Sequence, residues 1–216
     1  MAYSNTAYIL IGLLLEKVTG QPVQDLVWQR VARPLHLHST FFATSARFRG
    51  PYAHGYYPPS LTGAGYLDTS SWHPSIGGTA GALVSTAPEL ARFYQALLSG
   101  RLLSPALLQA MTTTVTGPAY PGLGSGLGIF SLETPCGTVW GHEGGIPGYK
   151  SFALNDRSGS RSAVVLVPTE LDEAIGAAFA AAVATAACQM LDRDPTLASQ
   201  SAAVSTIATR PVPGRR

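Results

Sequence analysis

Thr138-Val-Trp-Gly-His-Glu-Gly-Gly-Ile-Pro-Gly-Tyr-Lys-Ser151 is the stretch on which the reading of the chain turns. It opens with a short apolar run of strand character and delivers one histidine, His142, into a turn rich in glycine. Gly141, Gly144, Gly145 and Gly148 admit conformations that other residues avoid and let another backbone or a ligand come close. A histidine at a strand end beside such backbone suits acid–base or hydrogen-bonding work. The plainer reading is a hairpin with a solvent-facing histidine. A second stretch, Tyr3-Ser4-Asn5, tips the balance toward chemistry.

Outward from the quoted stretch, the pattern stays strand-like over residues 126–132, 139–142, 149–154 and 162–167, with Asn155-Asp-Arg-Ser-Gly159 as the last turn. A helix follows over about 171–191. Its run 174–191 is apolar enough to pass for a membrane span, but alanine dominates it and Glu170, Asp172 and Glu173 crowd its start, so a helix packed on the sheet is expected. Toward the N-terminus, Asn5 is placed to cap a helix over 6–19, which Gly20 stops. That helix is apolar on every side and so is either buried all round or missing a partner. A second helix is expected over 23–31. Residues 36–80 show no sustained period and form a long irregular region of the kind that lines a site. Thr86-Ala-Pro-Glu89 reads as a capping box for a helix over 88–98, and Ser104-Pro105 starts another over 105–111. Helices and loops, then an antiparallel sheet closed by a C-terminal helix, make an α+β chain.

The 216 residues suffice for one sizeable domain, taken as 1–192, with 193–216 as a disordered tail rich in Ser, Ala, Thr and Pro. Charged residues are only 12% and the net charge is +2, which gives no basic patch for nucleic acid. His36-x-His38 has metal-like spacing but no acidic or cysteine neighbour, and loop histidines are the better reading. Cys136 and Cys188 either form a bridge, which would point to export, or remain two buried thiols.

The ordered motifs resemble the penicillin-recognising serine hydrolases, which include D-alanyl-D-alanine carboxypeptidases, class C β-lactamases and related esterases. Tyr-x-Asn opens an apolar helix, and Gly-His-x-Gly-Gly-x-x-Gly-Tyr follows much later. Pro34-Leu35-His36-Leu37, Ala53-His54-Gly55-Tyr56, the run Thr79 to Thr86 and Gly126-Leu127-Gly128 stand in the family's order, over roughly residues 1–190. The resemblance implies a helical region against an antiparallel sheet with the site in the crevice between. It implies acyl transfer through a serine without metal or cofactor, on a small-molecule or short-peptide substrate. Tyr3 would take up the serine's proton, and Asn5 would hold a lysine and the substrate carbonyl. His142 would stand on the strand whose backbone supplies an oxyanion N–H, with Glu143, Gly144 and Gly145 along the substrate.

The family's nucleophile lies in a Ser-x-x-Lys motif upstream of Tyr-x-Asn. Here Lys17 and Lys150 are the only lysines, and Leu14 and Pro147 stand three residues before them. The expectation is therefore a domain lacking the N-terminal strands and the nucleophile helix, and inactive by itself. The competing expectation is a non-catalytic relative that binds peptides or a partner. Glu143 would repel a terminal carboxylate, and Gly126 to Ser131 offers no arginine, which weakens the carboxypeptidase assignment, leaves an esterase or amidase equally plausible and predicts a preference for neutral short-chain esters over D-alanyl-D-alanine peptides. Met1-Ala-Tyr-Ser4 lacks the features of a signal peptide, while the full-length protein is expected to be extracytoplasmic or secreted.

Overall fold

The computed structural model describes residues 3–46, 48, 50–73, 76–117, 122–194 and 196, so nearly all of the expected tail lies outside the described residues. Among the described residues ten strands form three sheets, accompanied by six α-helices, and the principal sheet has the order β10-β9-β8-β7-β6-β5 with every pair antiparallel. Its members are β5 (Val115–Thr116), β6 (Leu123–Ser125), β7 (Phe130–Thr134), β8 (Gly137–Ile146), β9 (Tyr149–Asn155) and β10 (Ser162–Val167). Of the expected strand 126–132 only 130–132 is strand, the start of β7, because Gly126 and the left-handed Gly128 turn the chain between β6 and β7. Antiparallel neighbours joined by short turns, as in β7–β8–β9–β10, are what alternating apolar residues with Gly between them produce.

The sheet is covered on both faces. On one, α6 (Glu173–Met190) lays Phe179, Val183, Ala184 and Ala187 against Leu132, Val139, Phe152 and Leu154. The Asp172 side chain caps this helix by accepting from the Ile175 N–H. The helix is long and apolar enough to cross a membrane, but here it is the core of a sheet. A disulfide joins Cys136, just before β8, to Cys188 in the last turn of α6, with the Cα atoms 5.2 Å apart. On the other face, α4 (Ala87–Leu98) sets Tyr94, Leu97 and Leu98 beside Ile129, Ala153 and Trp140.

The helical region departs from the sequence expectations at its caps. Ser4 caps α1 (Asn5–Thr19), accepting from the Ala7 N–H at 3.3 Å; Asn5 is instead the first helical residue. The second helix is regular only over α2 (Val23–Val27) and then widens into a π-turn, Trp28–Ala32. Thr86 makes no side-chain cap to α4. The Glu89 carboxylate accepts from the Ser39 N–H and the Thr40 hydroxyl of a distant loop, so the long-range bonds displace the local box. Burial pushes the Glu89 carboxyl up, and those hydrogen bonds outweigh it, holding it below the usual carboxylate range. The Ser104 cap of α5 (Pro105–Thr112) is as expected. Among the described residues, 41–84 hold two short ladders, β1 (Phe41–Phe42) with β4 (Leu83–Val84) and β2 (Tyr56–Tyr57) with β3 (Leu67–Asp68), a helical turn, α3 (Pro59–Thr62), and a 3-10 turn, Gly78–Ala80. Only a narrow strip of α1 is covered: Gly12 sits against Thr79, whose hydroxyl donates to the Tyr8 carbonyl.

Candidate active site

β8 outruns its neighbour. β7 pairs with it from Gly137 to Gly141 and stops at Phe130, whereas β9 follows it as far as Ile146. Residues 142–146 therefore form a half-strand held on one side only among the described pairings. A strand edge of this kind presents backbone N–H and C=O groups to an incoming chain. Facing it are the start of α1 and the turn 77–81. Ile146 lies 3.4 Å from the point where a Cβ on Gly81 would stand, so the crevice is narrow at that end.

The structure brings Tyr3 and His142 together, with ring centroids 6.0 Å apart. Tyr3 also stacks on Tyr8 one turn further along α1, at 5.6 Å, and His142 lies against Phe130 at 5.3 Å. The aromatic contacts fix both rings. His142 Nδ1 is 2.6 Å from the Glu143 carbonyl oxygen. A carbonyl only accepts, so Nδ1 carries the proton and Nε2 of the neutral ring is left as the acceptor. Asn5 is half-buried at the first position of α1, and with Ser4 as the cap its amide is outside the capping bond.

Strand alternation puts His142 and Gly144 on the α4 side of the sheet, and Glu143 and Gly145 on the α6 side, where Glu143 is paired with Phe152. The two glycines are required by their partners on β9. A Cβ on Gly144 would meet the Ser151 hydroxyl, and one on Gly145 would stand 2.7 Å from Lys150 Nζ. Lys150 is buried, and its stem crosses the Gly145 backbone. Sequence reasoning passed over this residue while searching 126–131 for an arginine. The signal was available: Lys150 is one of two lysines and sits in the strand that follows the Gly-His motif. Glu143 and Lys150 lie diagonally on one face across β8–β9, so opposite charges share this edge. Among the described residues no group of three or more His, Cys, Asp or Glu is placed to hold a metal, and His36 and His38 stand 6.2 Å apart, ring to ring.

The β-lactamase family model matches residues 1–186. The chain is 32% identical over 158 residues to the unguisins hydrolase ungD' of Aspergillus campestris, covering 68% of this chain and 29% of that protein. It is 28% identical to a putative D-alanyl-D-alanine carboxypeptidase of Escherichia coli, covering 66% of this chain and 39% of that one. Among solved structures it is similar to a D-stereospecific amidohydrolase from a Streptomyces species, with 41% identity and a TM-score of 0.73 over 78% of this chain and 50% of that chain. The D-amino acid amidase of Ochrobactrum anthropi matches at 27% identity and a TM-score of 0.69, with 81% and 53% covered. The chain thus spans about half the length of these solved relatives and about a third of the curated ones.

Proposed function

Because the chain belongs to the β-lactamase family, we propose that it is the tyrosine- and histidine-bearing part of a serine hydrolase that cleaves small neutral amides or esters through an acyl-serine. The observation that carries this reading is the approach of Tyr3 to His142 at the open half of β8. The nucleophile would come from a Ser-x-x-Lys segment outside these 216 residues, lying along the uncovered side of α1. In this mechanism the serine oxygen attacks the substrate carbonyl, and its proton passes to Tyr3, which the neighbouring lysine cation would hold ready as the phenolate. Tyr3 then returns that proton to the leaving amine or alcohol. Water cleaves the acyl-serine, releasing the acid and restoring the serine. Asn5 orients the lysine and the carbonyl, and the backbone at 143–145 holds the oxyanion. His142 offers Nε2 to a substrate donor.

The amide preference draws on the Streptomyces and Ochrobactrum relatives, named as a D-stereospecific amidohydrolase and a D-amino acid amidase. The neutral preference draws on Glu143 and Lys150: their charges offset one another, so the edge presents no surplus cation to a free carboxylate. Glu143→Thr removes the like charge and is expected to shift the ratio toward peptides with a free C-terminal carboxylate, by about 1 kcal/mol or roughly fivefold. Efficient cleavage of such peptides by the unaltered protein contradicts the neutral preference.

The test of the whole reading uses a fluorescent fluorophosphonate and a denaturing gel. The 216-residue chain alone is expected to take up no label. The same chain joined to a family segment bearing Ser-x-x-Lys is expected to label and to turn over D-amino acid amides, with Tyr3→Phe lowering the rate by about 10²–10⁴. A specific band on the chain alone, for example at Ser4 or Ser125, would overturn the reading. The absence of Ser-x-x-Lys favours a second one, a non-catalytic binder of peptides or a partner. That reading prevails if the joined protein binds such amides without turning them over.

A further inference from the structure

Away from the crevice, the π-turn Trp28–Ala32 and the segment that follows it enclose a cleft of about 450 Å³, lined by Trp28, Gln29, Ala32, Arg33, Pro34, His36 and His38. None of these residues belongs to the crevice. Three separate features build the cleft. The π-turn replaces the tighter α-turn, with the Arg33 N–H reaching back to the Trp28 carbonyl and the Leu37 N–H to that of Ala32. Such turns inside helices are frequent at functional sites. His36 is held in the left-handed region at φ 52, which a non-glycine residue adopts only where the surroundings enforce it. The enforcement comes from α4, whose Arg92 guanidinium donates to the His36 carbonyl at 2.9 Å, while Leu35 and Leu37 on either side are buried against Ala96.

The lining has one sign. Arg33 supplies a fixed cation with a planar fork, and His36 and His38, both exposed, supply ring nitrogens. No carboxylate is among the lining residues. Asp25, one turn before Trp28, is not among the lining residues, and the Glu89 carboxylate is occupied by Ser39 and Thr40. Ala32, Pro34 and the half-exposed indole of Trp28 give the cleft an apolar wall. A fixed cation and ring nitrogens beside a flat apolar surface, in a volume typical of small-ligand sites, select an anion that carries a ring. We propose that this cleft binds a small organic anion, with a phosphate or carboxylate on Arg33, His36 and His38 and an apolar ring on Trp28.

The experiment titrates the full chain with phenyl phosphate, inorganic phosphate and benzyl alcohol, following the ring signals of His36 and His38 by NMR and the heat by calorimetry. The expected result is saturable one-to-one binding of phenyl phosphate, about tenfold tighter than inorganic phosphate, with benzyl alcohol moving neither histidine. The double variant Arg33→Gln/His38→Asn should weaken both phosphates about tenfold or more. Trp28→Ala should bring phenyl phosphate down to the level of inorganic phosphate and leave the latter unchanged. All the altered side chains are exposed, and unchanged circular dichroism checks that the variants fold. Phenyl phosphate that fails to saturate, that binds the double variant equally well, or that is matched by benzyl alcohol overturns the proposal. None of these outcomes depends on the crevice or on a nucleophile.

Discussion

α1 and α6 are two apolar helices of similar length with opposite fates. In α6 the large side chains are inside: Phe179 is 4% exposed and Val183 0%. In α1 they are outside: Leu10 and Leu14 are each 60% exposed and Val18 75%, with Ile9, Ile11, Leu13 and Leu15 also exposed. Composition alone would give both the same address. What separates them is the sheet, which supplies a full apolar face to α6, while α1 meets the rest of the chain along one strip, through Tyr8, Ile9, Gly12 against Thr79, and Glu16, which accepts from the Val23 N–H. An exposed apolar surface of that extent marks an interaction site. In the proposed function, the nucleophile-bearing segment would lie there.

The sharpest way to break the comparison is to truncate one residue on each helix. Phe179→Ala should destabilise the chain by about 3–5 kcal/mol, seen as a lower midpoint in urea. Leu14→Gln should change that midpoint by no more than about 0.5 kcal/mol and should raise solubility. A large loss for Leu14→Gln would mean that α1 is already covered. Next in size is the disulfide, which anchors the end of α6 and nothing in α1. Cys136→Ser with Cys188→Ser should lower stability by about 2–4 kcal/mol, and dithiothreitol should reproduce the effect in the parent chain.

The one covered strip of α1 gives a third contrast. A side chain at Gly12 would clash with Thr79, so Gly12→Val should lever the helix off the 77–81 turn at a loss of about 1–3 kcal/mol. Paired with Thr79→Gly, most of that loss should return, and a double-mutant cycle showing no coupling would refute the contact. The smallest effect belongs to Glu89. Glu89→Gln should cost about 1–2 kcal/mol at neutral pH. Its carboxyl is held below the unfolded value of about 4.5, so the stabilisation is present above that pH and lost as pH falls below it. Parent and Glu89→Gln stabilities should therefore converge in acid. Parallel curves between pH 7 and 3 would show that the Ser39 and Thr40 bonds do not hold the charged form.

The strands and α6 were legible because their signals are local. Alternation in 149–154 and 162–167 and the turn at Asn155-Asp-Arg-Ser-Gly159 decide those elements within a few residues. The caps were less so. Ser4 and Asn5 are both good capping residues one position apart, and Glu89 leaves its local box for a loop some 50 residues away in sequence. Bonds of that range leave no trace in spacing. In the site, the motifs gave His142, Tyr3 and the glycines, and the ring contact shows that the first two share a crevice. Lys150 was overlooked because its position over Gly145 depends on the β8–β9 register, which sequence does not print. The cleft beside Trp28 needed a π-turn and a left-handed histidine, both set by α4 packing rather than by propensity.

Amide hydrogen exchange compared between α1 and α6 tests the central claim most directly. In the 216-residue chain alone, α6 should exchange only with global unfolding, while α1 opens locally and exchanges far faster. When the chain is joined to a segment bearing Ser-x-x-Lys, protection of α1 should rise at least about tenfold with α6 little changed. Equal protection of α1 in both forms, whether high or low, would contradict the account that its apolar face is the seat of the nucleophile-bearing segment.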